Sequence, residues 1–121
     1  MRGIDMIDDN CLFCKIARGA IPANIIYQDD HIMAFHDINP QAPVHILIIP
    51  KKHIPTLLEV GIEDRELLGD LFMTANKLAC EHGLDDKGFR TVFNCKESAG
   101  QAVFHIHLHL MGGRNFGWPP G

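Results

Sequence analysis

The chain has 121 residues, enough for one domain that buries a core without disulfide staples. Its hydrophobic fraction of 46% and charged fraction of 21% are those of an ordinary globular protein. A formal charge of −4 gives no electrostatic reason for a nucleic-acid polymer or an anionic membrane as partner, although a small phosphate-bearing ligand needs only a local donor cluster.

Residues 1–10 read as a loose arm with three aspartates and no apolar run, unlike a secretory signal or a mitochondrial presequence. No window approaches the ~20 apolar residues of a membrane span. The four cysteines (Cys11, Cys14, Cys80, Cys95) are too few and too unevenly spread for a secreted disulfide framework, so a cytoplasmic location is expected. A short helix is expected over Cys11 to Arg18, capped by Asn10, with Leu12, Phe13 and Ile16 as its apolar stripe and Gly19 as its stop. Ala23 to Asp29 and Ile32 to His36 read as a hairpin around Asp29-Asp30-His31. Pro40 and Pro43 stiffen the loop before Val44 to Ile49, the most apolar and β-branched run and therefore the expected central strand. Ile62 to His82 has the three- and four-residue spacing of one long amphipathic helix, with Leu67, Leu68, Leu71, Phe72, Ala75, Leu78 and Ala79 on one side. Phe89 to Asn94 and Val103 to Met111 read as two more strands, and the tail carries Phe116 and Trp118, an aromatic pair expected to dock. The order implies an α+β fold over residues 11–121: a five-stranded, mostly antiparallel sheet with one short and one long helix.

The run Phe104-His105-Ile106-His107-Leu108-His109-Leu110 alternates without a break. Period two is the strand period, so three imidazoles share one face, roughly 7 Å apart, and the apolar side chains share the other. Two chemistries fit. His-x-His on a strand can hold a catalytic metal. Alternatively, one ring is a nucleophile toward phosphorus while its neighbours hold the substrate, since imidazole both attacks and leaves readily. The preceding polar loop, with Asn94, Lys96 to Gln101 and Gly100, can supply donors to an anion.

His105 to Leu110 resembles the His-φ-His-φ-His-φ signature of the histidine triad superfamily, φ being apolar. Ala34 to Pro43, Ile49 to Ile54, and Gly112-Gly113-Arg114 followed by Trp118 to Gly121 resemble its histidine triad nucleotide-binding branch, so the likeness covers nearly the whole chain. The resemblance implies a HIT-like fold and a purine nucleoside phosphoramidase that hydrolyses the P–N bond of adenosine or guanosine 5′-phosphoramidates, and also aminoacyl adenylates. By position His107 is then the nucleophile, forming a nucleotidyl-histidine. The His105 carbonyl orients it, and His109 and His45 meet the phosphate. Asp37 takes the ribose hydroxyls. The purine lies among Leu12, Phe13, Ile16, Ile21, Phe35, Ile38 and Leu47, and Asn94, Gly100, Ala102 and Val103 line the phosphate side. Catalysis requires no cofactor on this reading, and similar proteins are homodimers with a ten-stranded sheet. Many relatives carry Ser where Ala102 stands, so a hydroxyl near the leaving group is missing.

Cys11-x-x-Cys14 has zinc-knuckle spacing, and bare thiols or a redox pair stay open beside it. Some relatives with this pair carry a structural zinc, which by position would be completed here by His53 and His105. Two other functions remain alternatives: a zinc-dependent hydrolase using the histidine row, and a non-catalytic nucleotide-binding adaptor.

Overall fold

A computed structural model describes residues 9–121, so all but the last two residues of the expected N-terminal arm lie outside the described residues. Helix α1 spans Leu12–Ala17. Its cap is Cys11 rather than Asn10: Cys11 is extended, and its Sγ accepts the Cys14 N–H at 3.4 Å. Phe13, Cys14 and Ile16 face inward, while Leu12 stays 44% exposed.

Strands β1 (Ile25–Gln28) and β2 (Ile32–His36) form the expected hairpin. Its turn is built by Asp29, whose Oδ1 accepts the N–H groups of His31 and Ile32, each at 2.8 Å. Strand β3 (Val44–Pro50), helix α2 (Arg65–Glu81), β4 (Phe89–Val92) and β5 (Leu108–Gly112) complete the domain. The sheet order is β1-β2-β3-β5-β4, antiparallel throughout, and β3 is central as its composition predicts.

Period two divides the sheet into two cores. Ile32, Ala34, Ile46, Ile48, Leu108 and Leu110 pack with Leu71, Ala75, Leu78 and Ala79 of α2. Met33, Phe35, Leu47 and Ile49 face the other way and pack with Cys11, Phe13, Cys14 and Ile16 of α1. The histidine row belongs to this second face, which only the short helix α1 covers, so part of it is left as a cleft.

The histidine strand is shorter than its alternation predicts. Pairing with β3 begins at Leu108, opposite Ile48. Upstream, the Ile106 N–H bonds the Ile54 carbonyl at 2.8 Å, and the His105 ring donates from Nε2 to the Pro50 carbonyl at 2.7 Å. A side chain therefore takes the place of a ladder bond, and the backbone at 103–107 leaves the sheet. Ile106 still reaches the α2 core, whereas Phe104 is 40% exposed.

The long helix also differs at its start. Ile62–Asp64 forms a tight 3-10 turn, and α2 begins after it. Phe72 stays largely outside the core, edge-on to Phe93, while Thr74 is buried. Asp64 explains the break. It is buried, accepts the Gly61 N–H at 2.9 Å and meets Lys52 Nζ at 2.7 Å. Burial pushes its pKa up, but the Lys52 bond and the Gly61 N–H outweigh it and leave the carboxyl below its ordinary value of 3.8. A depressed carboxyl contributes stability above its unfolded pKa and loses it as pH falls through the folded one. Asp64→Asn should therefore lower stability by about 1–3 kcal/mol at neutral pH. Below pH 3.8 the difference from wild type should shrink, as urea unfolding at several pH values will show. A constant difference down to acid pH would contradict the ion-pair account.

The tail is pinned at Phe116, which lies 4.2 Å from the Arg114 guanidinium and 5.1 Å from that of Arg90. Arg90 also donates to the Gly117 carbonyl at 2.9 Å. Trp118 is 85% exposed, so only one of the two tail aromatics docks on this chain. No helix among the described residues is long and apolar enough to cross a membrane.

Candidate active site

The cleft left beside α1 has a volume of about 410 Å³, the size of a small-molecule site. One wall is apolar: Leu12, Phe13, Ile16, Ile21, Phe35, Ile38 and Leu47 all line it, although Ile38 is fully solvent-exposed. Asp37, Asn94, Gly100, Ala102, Val103, His107 and His109 line it too. The structure thus brings together, around one cavity, residues that lie up to 97 positions apart, between Leu12 and His109. Pro22, Ala23 and His36 also line it, and nothing in the sequence singled them out.

His107 is buried and edge-on to Phe13, with ring centroids 5.1 Å apart. Its Nδ1–H donates to the His105 carbonyl at 2.8 Å. That bond sets the tautomer, so Nε2 carries a lone pair. Burial pushes the ring's pKa down, against the opposing pull of the His105 carbonyl and the Asp37 charge, which favours the neutral nucleophilic form at neutral pH.

His45 is placed differently from the sequence expectation. It does not line the cleft but stands one ring behind it, 4% exposed. The Gln41 N–H donates to His45 Nδ1 at 3.0 Å, so Nε2 must hold the proton of the neutral ring. That Nε2–H donates to His109 Nδ1 at 2.9 Å, which leaves Nε2–H as the remaining donor of His109. The His109 ring lies tilted against that of His107, with centroids 5.0 Å apart. Burial, reinforced by His107 and His45, pushes the His109 pKa down to about 4, so both rings of the pair are neutral at pH 7. Asp37 holds the Asn39 N–H on Oδ1 at 2.8 Å, and its Oδ2 lies 3.5 Å from His45 Nε2.

Asp37, His45 and His109 lie close enough to suggest a cation site, their ligand atoms all within 4.8 Å. The hydrogen-bond direction argues against one, because a metal on His45 Nε2 would need a lone pair at the atom where the Gln41 N–H places the proton.

The HIT domain family matches residues 18–116. The chain belongs to this family. It is 50% identical over 115 residues to an uncharacterised HIT-like protein of Synechococcus elongatus, covering 95% of this chain and all of that one. It is 47% identical over 109 residues to the purine nucleoside phosphoramidase of Escherichia coli K12, covering 90% of this chain and 92% of that one. The structure of a HIT family hydrolase from Legionella pneumophila superposes with a TM-score of 0.91 at 57% identity, covering 93% of this chain and all of the other. In the histidine triad nucleotide-binding protein of Candida albicans the TM-score is 0.79 at 33% identity, with 91% and 83% covered.

The HIT domain carries a second cluster at the base of α1. Cys11 Sγ lies 3.3 Å from His105 Nδ1, Cys14 Sγ lies 3.4 Å from His53 Nδ1, and the two Nδ1 atoms are 3.2 Å apart. Cys14 Sγ is also 3.5 Å from His105 Nδ1. Three groups thus converge on a single ring nitrogen whose one lone pair cannot accept from all of them. His105 Nε2–H is committed to the Pro50 carbonyl, so Nδ1 is the ligating form. The separations match the edges of a tetrahedron with bonds of ~2.0–2.3 Å, and two cysteines with two histidines are a zinc donor set.

Gln101, expected within a loop of donors to an anion, turns its side chain to backbone groups instead. It is 4% exposed, donates from Nε2 to the Pro55 and Val103 carbonyls and accepts the Lys96 N–H. It ties the loop bearing Gly100 and Ala102 to the body of the HIT domain.

Proposed function

We propose that this HIT-domain protein is a purine nucleotide-binding hydrolase that cleaves the P–N bond of nucleoside 5′-phosphoramidates, and also aminoacyl adenylates, through a nucleotidyl-histidine intermediate. The observation that carries the proposal is the His107 tautomer: Nδ1–H is tied to the His105 carbonyl, so Nε2 is an unprotonated nucleophile at the polar end of an apolar cleft. The purine slots between Leu12, Phe13, Ile16, Ile21, Phe35, Ile38 and Leu47, and Asp37 accepts the ribose hydroxyls. In the first step His107 Nε2 bonds to the α-phosphorus as the P–N bond breaks, and the amine departs with the electron pair and a proton taken from solvent, which the attacking water gives back in the second. In the second, water attacks phosphorus and releases the mononucleotide and His107. The His109 Nε2–H and the loop of Asn94, Gly100, Ala102 and Val103 face the phosphoryl oxygens, whose charge grows in each transition state. The 47% identity to a protein named purine nucleoside phosphoramidase supports the substrate class.

Cys11, Cys14, His53 and His105 would hold a structural zinc. Bound there, it would cross-link α1 to the segment that carries His107, with no step of the reaction passing through it. A homodimer pairing two sheets is consistent with β4, which is bonded on one side only, to β5, within this chain.

Turnover of adenosine 5′-phosphoramidate, with a mass increase of one nucleotide on protein quenched in denaturant at alkaline pH, tests the reading. Nucleotide binding with neither turnover nor adduct would favour the adaptor alternative instead.

Ala102 lines the cleft, at the position where the family resemblance implies a serine hydroxyl. Ala102→Ser should change kcat by a few-fold, unequally across amine leaving groups, because one added hydrogen bond contributes about 0.5–1.5 kcal/mol. Identical kinetics for several amines would refute a role for this position in leaving-group preference.

A further inference from the structure

Two segments outside the cleft converge on the hydrogen bond that orients its phosphate end. Gly113, with φ at +92°, sits flat on Pro43: a Cβ there would lie 2.9 Å from Pro43 Cβ. Its neighbour Arg114 donates from Nε to the Gln41 carbonyl at 2.9 Å. The guanidinium is itself fixed, by a bond from Nη1 to the Asn115 carbonyl at 3.0 Å and by the Phe116 ring 4.2 Å away. On its other side Gln41 ties back to the Asn39 carbonyl through Nε2 at 3.1 Å. Gln41 is thus held by its side chain and by its carbonyl, and its N–H is the donor to His45 Nδ1.

This N–H decides the sense of everything downstream. A backbone N–H can only donate, so His45 Nδ1 must accept, His45 Nε2 must donate and His109 Nδ1 must accept. His109 then turns an N–H toward the cleft. Were Gln41 to move away, the pair could run in the reverse sense, with His45 Nδ1 protonated and His109 Nδ1 donating. His109 would then present a lone pair to an anion.

We infer that Arg114, with Gly113 seated on Pro43, is a positioning residue for the phosphate end of the cleft, clamping Gln41 so that its N–H holds His45 and His109 with an N–H facing the phosphate. The inference rests on the nucleotide reading above for its ligand but not for its geometry. Arg114 touches neither substrate nor reacting atoms, so its effect should be confined to ligands that carry a phosphate.

The test uses two variants of the full chain, Arg114→Ala and Gln41→Pro. The second deletes the N–H and keeps every charge, so it separates the clamp from a simple loss of positive potential. Titration with a purine nucleoside and with its 5′-monophosphate should give, for both variants, a loss of about tenfold in monophosphate affinity and less than about twofold in nucleoside affinity, as expected when one charge-assisted hydrogen bond is lost. Ring ¹⁵N spectra of the ligand-free protein should show His45 and His109 protonated on Nε2 alone in wild type. Arg114→Ala should add an Nδ1-protonated population at His109. Equal losses for both ligands, or no loss with unchanged tautomers, would overturn the inference. If Gln41→Pro does not fold, Arg114→Ala decides by the same two readouts. If wild type binds neither ligand, the nucleotide reading fails, and the tautomer populations alone decide the clamp.

Discussion

His107→Ala should lower kcat for adenosine 5′-phosphoramidate by a factor on the order of 10⁴ or more, as loss of a nucleophile does elsewhere, while changing mononucleotide affinity by less than about threefold. The asymmetry follows from position. Phe13 is the member of the apolar wall in ring contact with His107, and the wall draws on several other residues, whereas the proposed bond to phosphorus requires the Nε2 lone pair. The nucleotide adduct, trapped in denaturant at alkaline pH, should vanish with the activity. His109→Ala should cost less, because it removes a donor to the phosphoryl group and leaves the attacking atom in place. Slow turnover that survives His107→Ala unchanged, with the protein still folded, would remove the covalent mechanism.

The second large effect concerns the cluster under α1. Protein purified without chelator should contain about one zinc per chain, and Cys11→Ser or Cys14→Ser should contain much less, since each removes a thiolate from a four-ligand set. Structural zinc binding is worth about 10–16 kcal/mol in small domains whose folding depends on it. Here a core already exists on both faces of the sheet, so a smaller share falls on the metal. Even about 3 kcal/mol would lower the midpoint of thermal unfolding by roughly 10–20 °C. At temperatures where the stripped protein stays folded, turnover should persist at a reduced rate. Abrupt and complete loss in chelator with no change in unfolding temperature would favour the catalytic-metal alternative. Equal zinc content in wild type and Cys11→Ser would remove the site.

Much of the architecture was legible because it rests on short-range periodicity. The apolar run at Val44 to Ile49 falls on the middle strand of the sheet and the end of the histidine run on its neighbour β5, and alternation assigned their two faces correctly. What misled was every place where a side chain replaced a backbone partner. The histidine strand starts late, at Leu108, because the His105 ring bonds Pro50 and the Ile106 N–H bonds Ile54, contacts across about half the chain. The helix cap moved to Cys11 because a thiol took the Cys14 N–H, and the long helix broke because Asp64 turned back to Gly61 and Lys52. Within the site, the rings that meet the cleft could be named from the motif, but their protonation could not. The sense of the His45–His109 bond depends on the Gln41 backbone, which is in turn held by an arginine 73 residues away. No local pattern encodes a tautomer.

His105 has every one of its side-chain nitrogens, and its carbonyl, already engaged: Nε2 with Pro50, Nδ1 toward the two cysteines and His53, the carbonyl with His107. At 0% exposure it has no room to trade one partner for another. A position with so many simultaneous obligations cannot drift by small steps, because any substitution breaks several bonds at once. Ala102, exposed and bound to none of these networks, is the opposite case. Variation between relatives of this chain should therefore accumulate along the rim of the cleft, while His105 behind His107 stays locked in place.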